Sequence, residues 1–165
     1  MLFRLPPLRT ICNKPVVFSR RRAFKTHTRY DVLNGGDRIA HISFETPHEA
    51  GKPALHILGP SSLRSLTDHL HTLARDGSLR ALFMRDTIAG ADLKYMRNIE
   101  MPEQARSFIR LIDELCTTIQ DFPVPVVAVL SGHCLGAGME VAAAADMRIC
   151  CRDTVFGMPE TKVVR

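Results

Sequence analysis

The first 30 residues contain no acidic residue at all; the first carboxylate in the chain is Asp31. Eight basic residues fall in that stretch: Arg4, Arg9, Lys14, Arg20, Arg21, Arg22, Lys25 and Arg29. The other 135 residues carry fourteen Lys and Arg against seventeen Asp and Glu, so the net +5 belongs to the N-terminus and not to the body. This argues against a basic nucleic-acid-binding body. A long apolar run is also missing. The longest uncharged stretch, Phe122 to Met139, contains two prolines, three glycines, a serine and a histidine. It makes a poor transmembrane helix, and the expectation is no membrane span. There is no CxxC pair among Cys12, Cys116, Cys134, Cys150 and Cys151, and free thiols in a reducing compartment are expected. No Gly-Lys-Ser/Thr follows the glycine-rich turn, so a phosphate loop is excluded, and no dinucleotide fingerprint is present. No internal repeat is long enough to use.

What is present reads as one domain of ordinary soluble composition. Residues 1–30 resemble a mitochondrial presequence, with Leu2, Leu5, Leu8 and Ile11 at helical spacing and Arg22-Ala23-Phe24 before a processing site. Pro6 and Pro7 interrupt that helix, and the competing reading is a disordered basic tail. The body is assigned to residues 31–165. Arg38 to Glu45 alternates as a strand does. Thr46 to Pro60 reads as a loop, and Ser61 or Ser62 as the cap of a helix with the stripe Leu63, Leu66, Leu70, Leu73, ended by Gly77. Leu79 to Arg85 is a buried strand, and Ala89 to Asp92 a loop. Pro102 opens a second helix with the stripe Phe108, Leu111, Ile112, Leu115, Ile119. Val126 to Leu130 reads as a strand buried on both faces, Ser131 to Gly138 as a turn, Met139 to Ala145 as a helix and Met147 to Cys151 as a strand. Strand and helix alternate, so the fold class is α/β with parallel pairing.

The chemistry concentrates where the Val126–Leu130 strand enters the glycine-rich turn and leaves as a helix. The first N–H groups of that helix have no intrahelical partner, and the positive end of the helix dipole lies behind them. Such a turn suits an anion or a developing oxyanion, though a tight strand-to-helix connection would use the same residues. Glu140 falls in the first turn of the helix, and Glu160 lies twenty residues on. A βαβ path brings the loop after the next strand alongside the helix start. Two carboxylates beside an oxyanion hole suit water addition, one taking a proton and the other giving one. His69 and His71 diverge on their helix, and His133 and Cys134 lack a second ligand cluster, so no metal site is expected. Asp113-Glu114 reads as the solvated side of its helix.

Several stretches taken in order carry a family resemblance. They are Ala89-Gly90-Ala91-Asp92-Leu93-Lys94, Pro123 to Val129, Gly132-His133-Cys134-Leu135-Gly136-Ala137-Gly138-Met139-Glu140-Val141-Ala142, Asp146-Met147-Arg148-Ile149 and Phe156-Gly157-Met158-Pro159-Glu160. Together they resemble the crotonase superfamily, the enoyl-CoA hydratases and isomerases, over most of residues 35–165. The resemblance implies a crotonase-like spiral of ββα units, incomplete at the C-terminus, since family members continue past the position of Arg165. It implies that the N–H groups of Ala91 and Ala137 form an oxyanion hole for a thioester carbonyl. Ala91, Asp92, Leu93 and Lys94 would line the coenzyme A site, and Glu140 and Glu160 would hold the attacking water. The implied activity is hydration of an enoyl-CoA in fatty-acid or acyl-CoA metabolism. Isomerisation, or a truncated non-catalytic chain that binds coenzyme A or assembles with a relative, stands as the alternative. RNA binding through the basic tail is a further one. No cofactor beyond the coenzyme A of the substrate is implied, nor a nucleic-acid or membrane partner. A homo-oligomer, trimer or hexamer, is implied for the full-length form. The N-terminus points to mitochondria, with peroxisome or cytoplasm as alternatives; Lys162 to Arg165 is not a peroxisomal signal. One departure stands out. Met84-Arg85-Asp86-Thr87-Ile88 runs straight into Ala89-Gly90, where the family has several more residues.

Overall fold

The computed structural model describes residues 25–45, 56–86 and 88–160. The import-signal reading rests on residues that lie mostly outside this range. The chain repeats one pattern: a strand, a second strand that joins a different sheet, then a helix. β2 (Arg38–Glu45), β4 (Leu79–Arg85), β6 (Val126–Leu130) and β8 (Met147–Cys150) supply the first strands. β3 (His56–Leu58), β5 (Ile88–Ala91), β7 (His133–Leu135) and β9 (Val155–Gly157) supply the second. α1 (Pro60–Leu73), a short α2 (Leu93–Arg97) with α3 (Pro102–Gln120), and α4 (Ala137–Ala144) close the first three units. The first strands, with β1 (Lys25–Val32), form a five-stranded sheet in the order β1-β2-β4-β6-β8. Only β1 is antiparallel. The second strands form the parallel pairs β3-β5 and β7-β9. The α/β class with parallel pairing and the ββα spiral are both present.

The core lies between the main sheet and its helices. One face of β2 delivers Ala40, Ile42 and Phe44, and α1 buries Leu63, Leu66, Leu70 and Leu73 against them. α3 buries its whole expected stripe, Phe108, Leu111, Ile112, Leu115 and Ile119. All five residues of β6 are buried, as a central parallel strand requires.

The structure corrects several boundaries. β1 starts at Lys25, inside the segment assigned to the basic tail, because pairing with β2 organises a stretch whose charges hide its alternation. The cap of α1 is Gly59 with Pro60 in the first turn, not Ser61 or Ser62; Ser62 is buried. The end of the expected Thr46–Pro60 loop is strand β3, and residues 46–55 lie outside the described range. Ala89 to Ala91 is strand, not loop, because β3 pairs with it. The glycine-rich turn contains β7, α4 begins at Ala137 rather than Met139, and β9 has no counterpart among the expected strands. Cys116, Cys134 and Cys150 are free thiols, but Cys151 is disulfide-bonded, against the expectation of free thiols throughout.

Candidate active site

The spiral brings three backbone segments together at the start of α4. β7 reaches Gly136, whose φ of 49° and ψ of −123° suit glycine alone. The Gly136 N–H donates to the Gly157 carbonyl at 2.9 Å, which ties the turn to β9. The Gly136 carbonyl then accepts from Met139 N–H at 2.7 Å and Glu140 N–H at 3.2 Å, closing the first turn of α4. The Ala137 N–H has no acceptor among the described residues, as the opening position of a helix dictates.

β5 lies directly against this turn. A Cβ on Gly138 would overlap the Ile88 carbonyl, and one on Gly90 would stand 2.8 Å from the Leu135 carbonyl oxygen. Successive N–H groups on a strand point to opposite edges. The Asp92 N–H donates to Leu58 O of β3 at 2.9 Å, so the Ala91 N–H faces away from β3, toward the edge where β7 and α4 lie. The end of β5 and the start of α4 thus present N–H groups into one small region. Behind it sits the dipole of a two-turn helix.

The side chains distribute unequally around that region. Glu160 brings its Oε1 against Gly136, where a Cβ would overlap it. Glu140 is exposed and borders a groove of about 360 Å³ between α3 and α4. Ile109, Ile112, Cys116 and Ala143 line that groove, with Asp113 at its rim. Burial, then the charges of Glu140 and Asp113, push the Cys116 thiol up to about 11. Asp92 acts through its side chain: Oδ1 accepts from Lys94 N–H at 2.9 Å and Tyr95 N–H at 3.1 Å, capping α2. Leu93 and Lys94 are exposed on that helix. His133 and Cys134 are strand residues. Cys134 is fully buried, donates to the Gly138 carbonyl at 3.6 Å, and has its thiol pushed up to about 11 by burial.

Three features escape sequence reasoning. The apolar groove beside Glu140 could have been found from Ile109, Ile112, Cys116 and Asp113 lying three and four apart on α3. Asp113 and Glu114 are both exposed, as expected for the solvated side of α3, and Asp113 also lines this groove. Asp146 and Arg148 fix α4 from below: Asp146 Oδ2 accepts from Val126 N–H at 2.7 Å, and Arg148 donates to the Ala143 carbonyl at 3.1 Å. Among the described residues no helix is long and apolar enough to cross a membrane.

Comparison with known proteins agrees with this fold. Residues 38–163 match the family model for enoyl-CoA hydratase/isomerase. The chain is similar to the probable enoyl-CoA hydratase 2, mitochondrial, of Arabidopsis thaliana, 34% identical over 135 residues, covering 78% of this chain and 43% of that protein. Its fold is similar to Pseudomonas aeruginosa DspI, with a TM-score of 0.69 and 25% identity over 88% of this chain and 56% of that one. An enoyl-CoA hydratase of Mycobacterium smegmatis gives the same TM-score of 0.69, at 26% identity over 82% of this chain and 52% of that one. The chain therefore spans about half the length of the relatives it matches. The family match over residues 38–163 and the 34% identity over 78% of this chain show that it belongs to the enoyl-CoA hydratase/isomerase family.

Proposed function

We propose that the chain acts on an enoyl-CoA thioester and adds water across its 2,3 double bond. The observation that carries this reading is the approach of β5 to the start of α4, which turns the N–H groups of Ala91 and Ala137 toward one region. The thioester oxygen accepts from both. As water oxygen adds to C3, the π electrons move through C2 to that oxygen, and an enolate forms. Two fixed donors favour the enolate over the ground state, one such donor being worth ~10²–10³ in rate. One carboxylate, Glu140 or Glu160, takes the proton from the attacking water. The other, carried as the neutral carboxylic acid, donates its own proton to C2 as the enolate collapses and ends as the carboxylate, adding ~10²–10⁴; proton exchange with solvent then resets the pair. The acyl chain follows the apolar groove beside Glu140, and Ala91 to Lys94 carry the coenzyme A, with Lys94 toward its phosphates. The working form is a homo-oligomer, a trimer or hexamer, located in mitochondria. The acid-free basic N-terminus and the mitochondrial name of the Arabidopsis relative support that location.

A second reading, isomerisation of a 3-enoyl-CoA with one base, is favoured by one observation: only Glu160 lies against the turn, while Glu140 faces α3. The test separates them. Hydration of crotonyl-CoA, monitored by loss of the enoyl thioester absorbance, is expected to fall ~10²–10⁴-fold in both Glu140→Gln and Glu160→Gln. For an isomerase, Glu160→Gln abolishes double-bond migration and Glu140→Gln leaves it. A folded chain that turns over neither substrate leaves coenzyme A binding without catalysis as the surviving alternative.

A further inference from the structure

β4 belongs to the main sheet and β5 to the second layer, and the chain passes from one to the other between Arg85 and Ile88. Asp86 makes the turn. Its φ of 75° is the one positive value at a non-glycine among the described residues. Asp is among the few side chains that tolerate that region, and it does so at some backbone cost. Its carboxylate is engaged as well. Oδ2 accepts from the Phe44 N–H at 3.3 Å, beyond Ile42 and Met84, the last paired residues of β2 and β4. Where the β4 backbone leaves the sheet, the Asp86 side chain thus supplies the next acceptor along β2.

The strand that leaves this turn ends in Ala91. Ile88, two residues beyond Asp86, presses its carbonyl on Gly138 in the first turn of α4. Asp86, Ile88 and Gly138 also border one small cavity, about 20 Å³, with Phe44 and Val141. Nothing larger than one water fits between the crossover and the helix start. Asp86 borders the same cavity as Ile88 and Gly138, so a shift at Asp86 is felt where β5 meets α4.

We propose that Asp86 is the positioning residue of the anion-binding turn: its left-handed backbone and its bond to Phe44 fix where β5 delivers the Ala91 N–H against α4. This rests on the reading of Ala91 as an oxyanion donor. Asp86 is the one described residue between β4 and β5, and both its backbone and its side chain are engaged.

The test uses the full chain and the variants Asp86→Asn and Asp86→Gly. Asn tolerates the same φ and keeps an oxygen acceptor; Gly relieves the backbone cost but removes the acceptor, so it is expected to fold. Each is bound to a dimethylaminocinnamoyl-CoA thioester, whose absorption moves to longer wavelength when donors polarise its carbonyl. Hydrogen exchange of the β5 amides is read on the same samples. The expected result is a full spectral shift in the wild type and in Asp86→Asn. In Asp86→Gly the probe binds but the shift is lost and the β5 amides exchange faster. In turnover, kcat for Asp86→Gly falls ~10²-fold with KM little changed, the cost of about 1 Å of misplacement. A full shift with unchanged exchange in Asp86→Gly overturns the proposal. If the wild type binds the probe with no shift, the oxyanion reading fails, and exchange alone then decides. β5 loosened in Gly and not in Asn upholds Asp86 as the positioner of the strand; equal exchange overturns it.

Discussion

Gly138 has no space for a single carbon, since a Cβ there would enter the Ile88 carbonyl. The close approach of β5 to α4 depends on that missing atom. Gly138→Ala is expected to push the two apart, costing ~1–3 kcal/mol in stability through overpacking. Under the proposed hydration it lowers turnover at least ~10²-fold by displacing the proposed donors. Gly77→Ala is the control: nothing lies within 4 Å of a Cβ there, so stability and turnover should hold. Urea midpoints and crotonyl-CoA rates on the two variants check the contrast. Much of this site is legible in residue type. Glycines at 136 and 138 around a helix start, with Glu140 in its first turn, announce a backbone-lined turn. What spacing does not encode is side-chain direction. Glu140 springs from the first turn of α4 yet borders the groove beside α3, and Glu160 lies against Gly136. That difference comes from the packing of α4 on α3, which no local pattern records.

α4 carries the turn and is held at its far end by two polar side chains. The Asp146 carboxylate accepts from the first N–H of β6, and the Arg148 guanidinium reaches the carbonyls of Ala142 and Ala143. A cation at a helix C-terminus is favoured by the dipole, and a carboxylate on a strand N–H is a charge-assisted bond. Asp146→Ala is expected to cost about 1–2 kcal/mol, since solvent reaches the carboxylate; a denaturant midpoint measures it. At the sheet's other end, β2 holds a titrating element. His41 stacks on Phe83 and donates from Nε2 to Asp31 at 2.9 Å, while its Nδ1 accepts from Arg85 at 3.1 Å. Burial, then the Arg85 charge, hold its pKa below 6.5, against the opposing pull of Asp31, with Arg29 adding to the lowering. His69 is lowered by burial too. The folded chain therefore binds fewer protons than the unfolded chain between the depressed values and 6.5. Stability from these groups is complete above pH 6.5 and declines as pH falls through that window. His41→Gln is expected to flatten the acid-side slope of the urea midpoint against pH, whatever it does to the midpoint itself.

The long elements are legible in the sequence because their period is long enough to count. α3 shows five stripe positions and β6 five consecutive apolar ones, and both match. β3, β7 and β9 have three residues each, too few to show alternation, and Ala89-Gly90-Ala91 has no strand preference of its own. Those strands exist only because the spiral sets one against another. Taken whole, the described chain leaves one side of that spiral open. β8 is the edge of the main sheet and all four of its residues are exposed. Met147 and Ile149 on β8, and Val155, Phe156 and Met158 around β9, are all large apolar groups left in water. An unpaired edge bearing such residues is a template for association. The 165-residue chain is expected to self-associate with rising concentration in sedimentation velocity. Ile149→Lys, placing a charge on the open edge, should shift the distribution toward monomer without changing the circular dichroism of the fold. A wild-type chain that stays monomeric at all concentrations would show that backbone pairing at β8 is blocked. The exposed groups of β9 would then be the ones to substitute next, because they extend the same open side through the second layer that carries the turn.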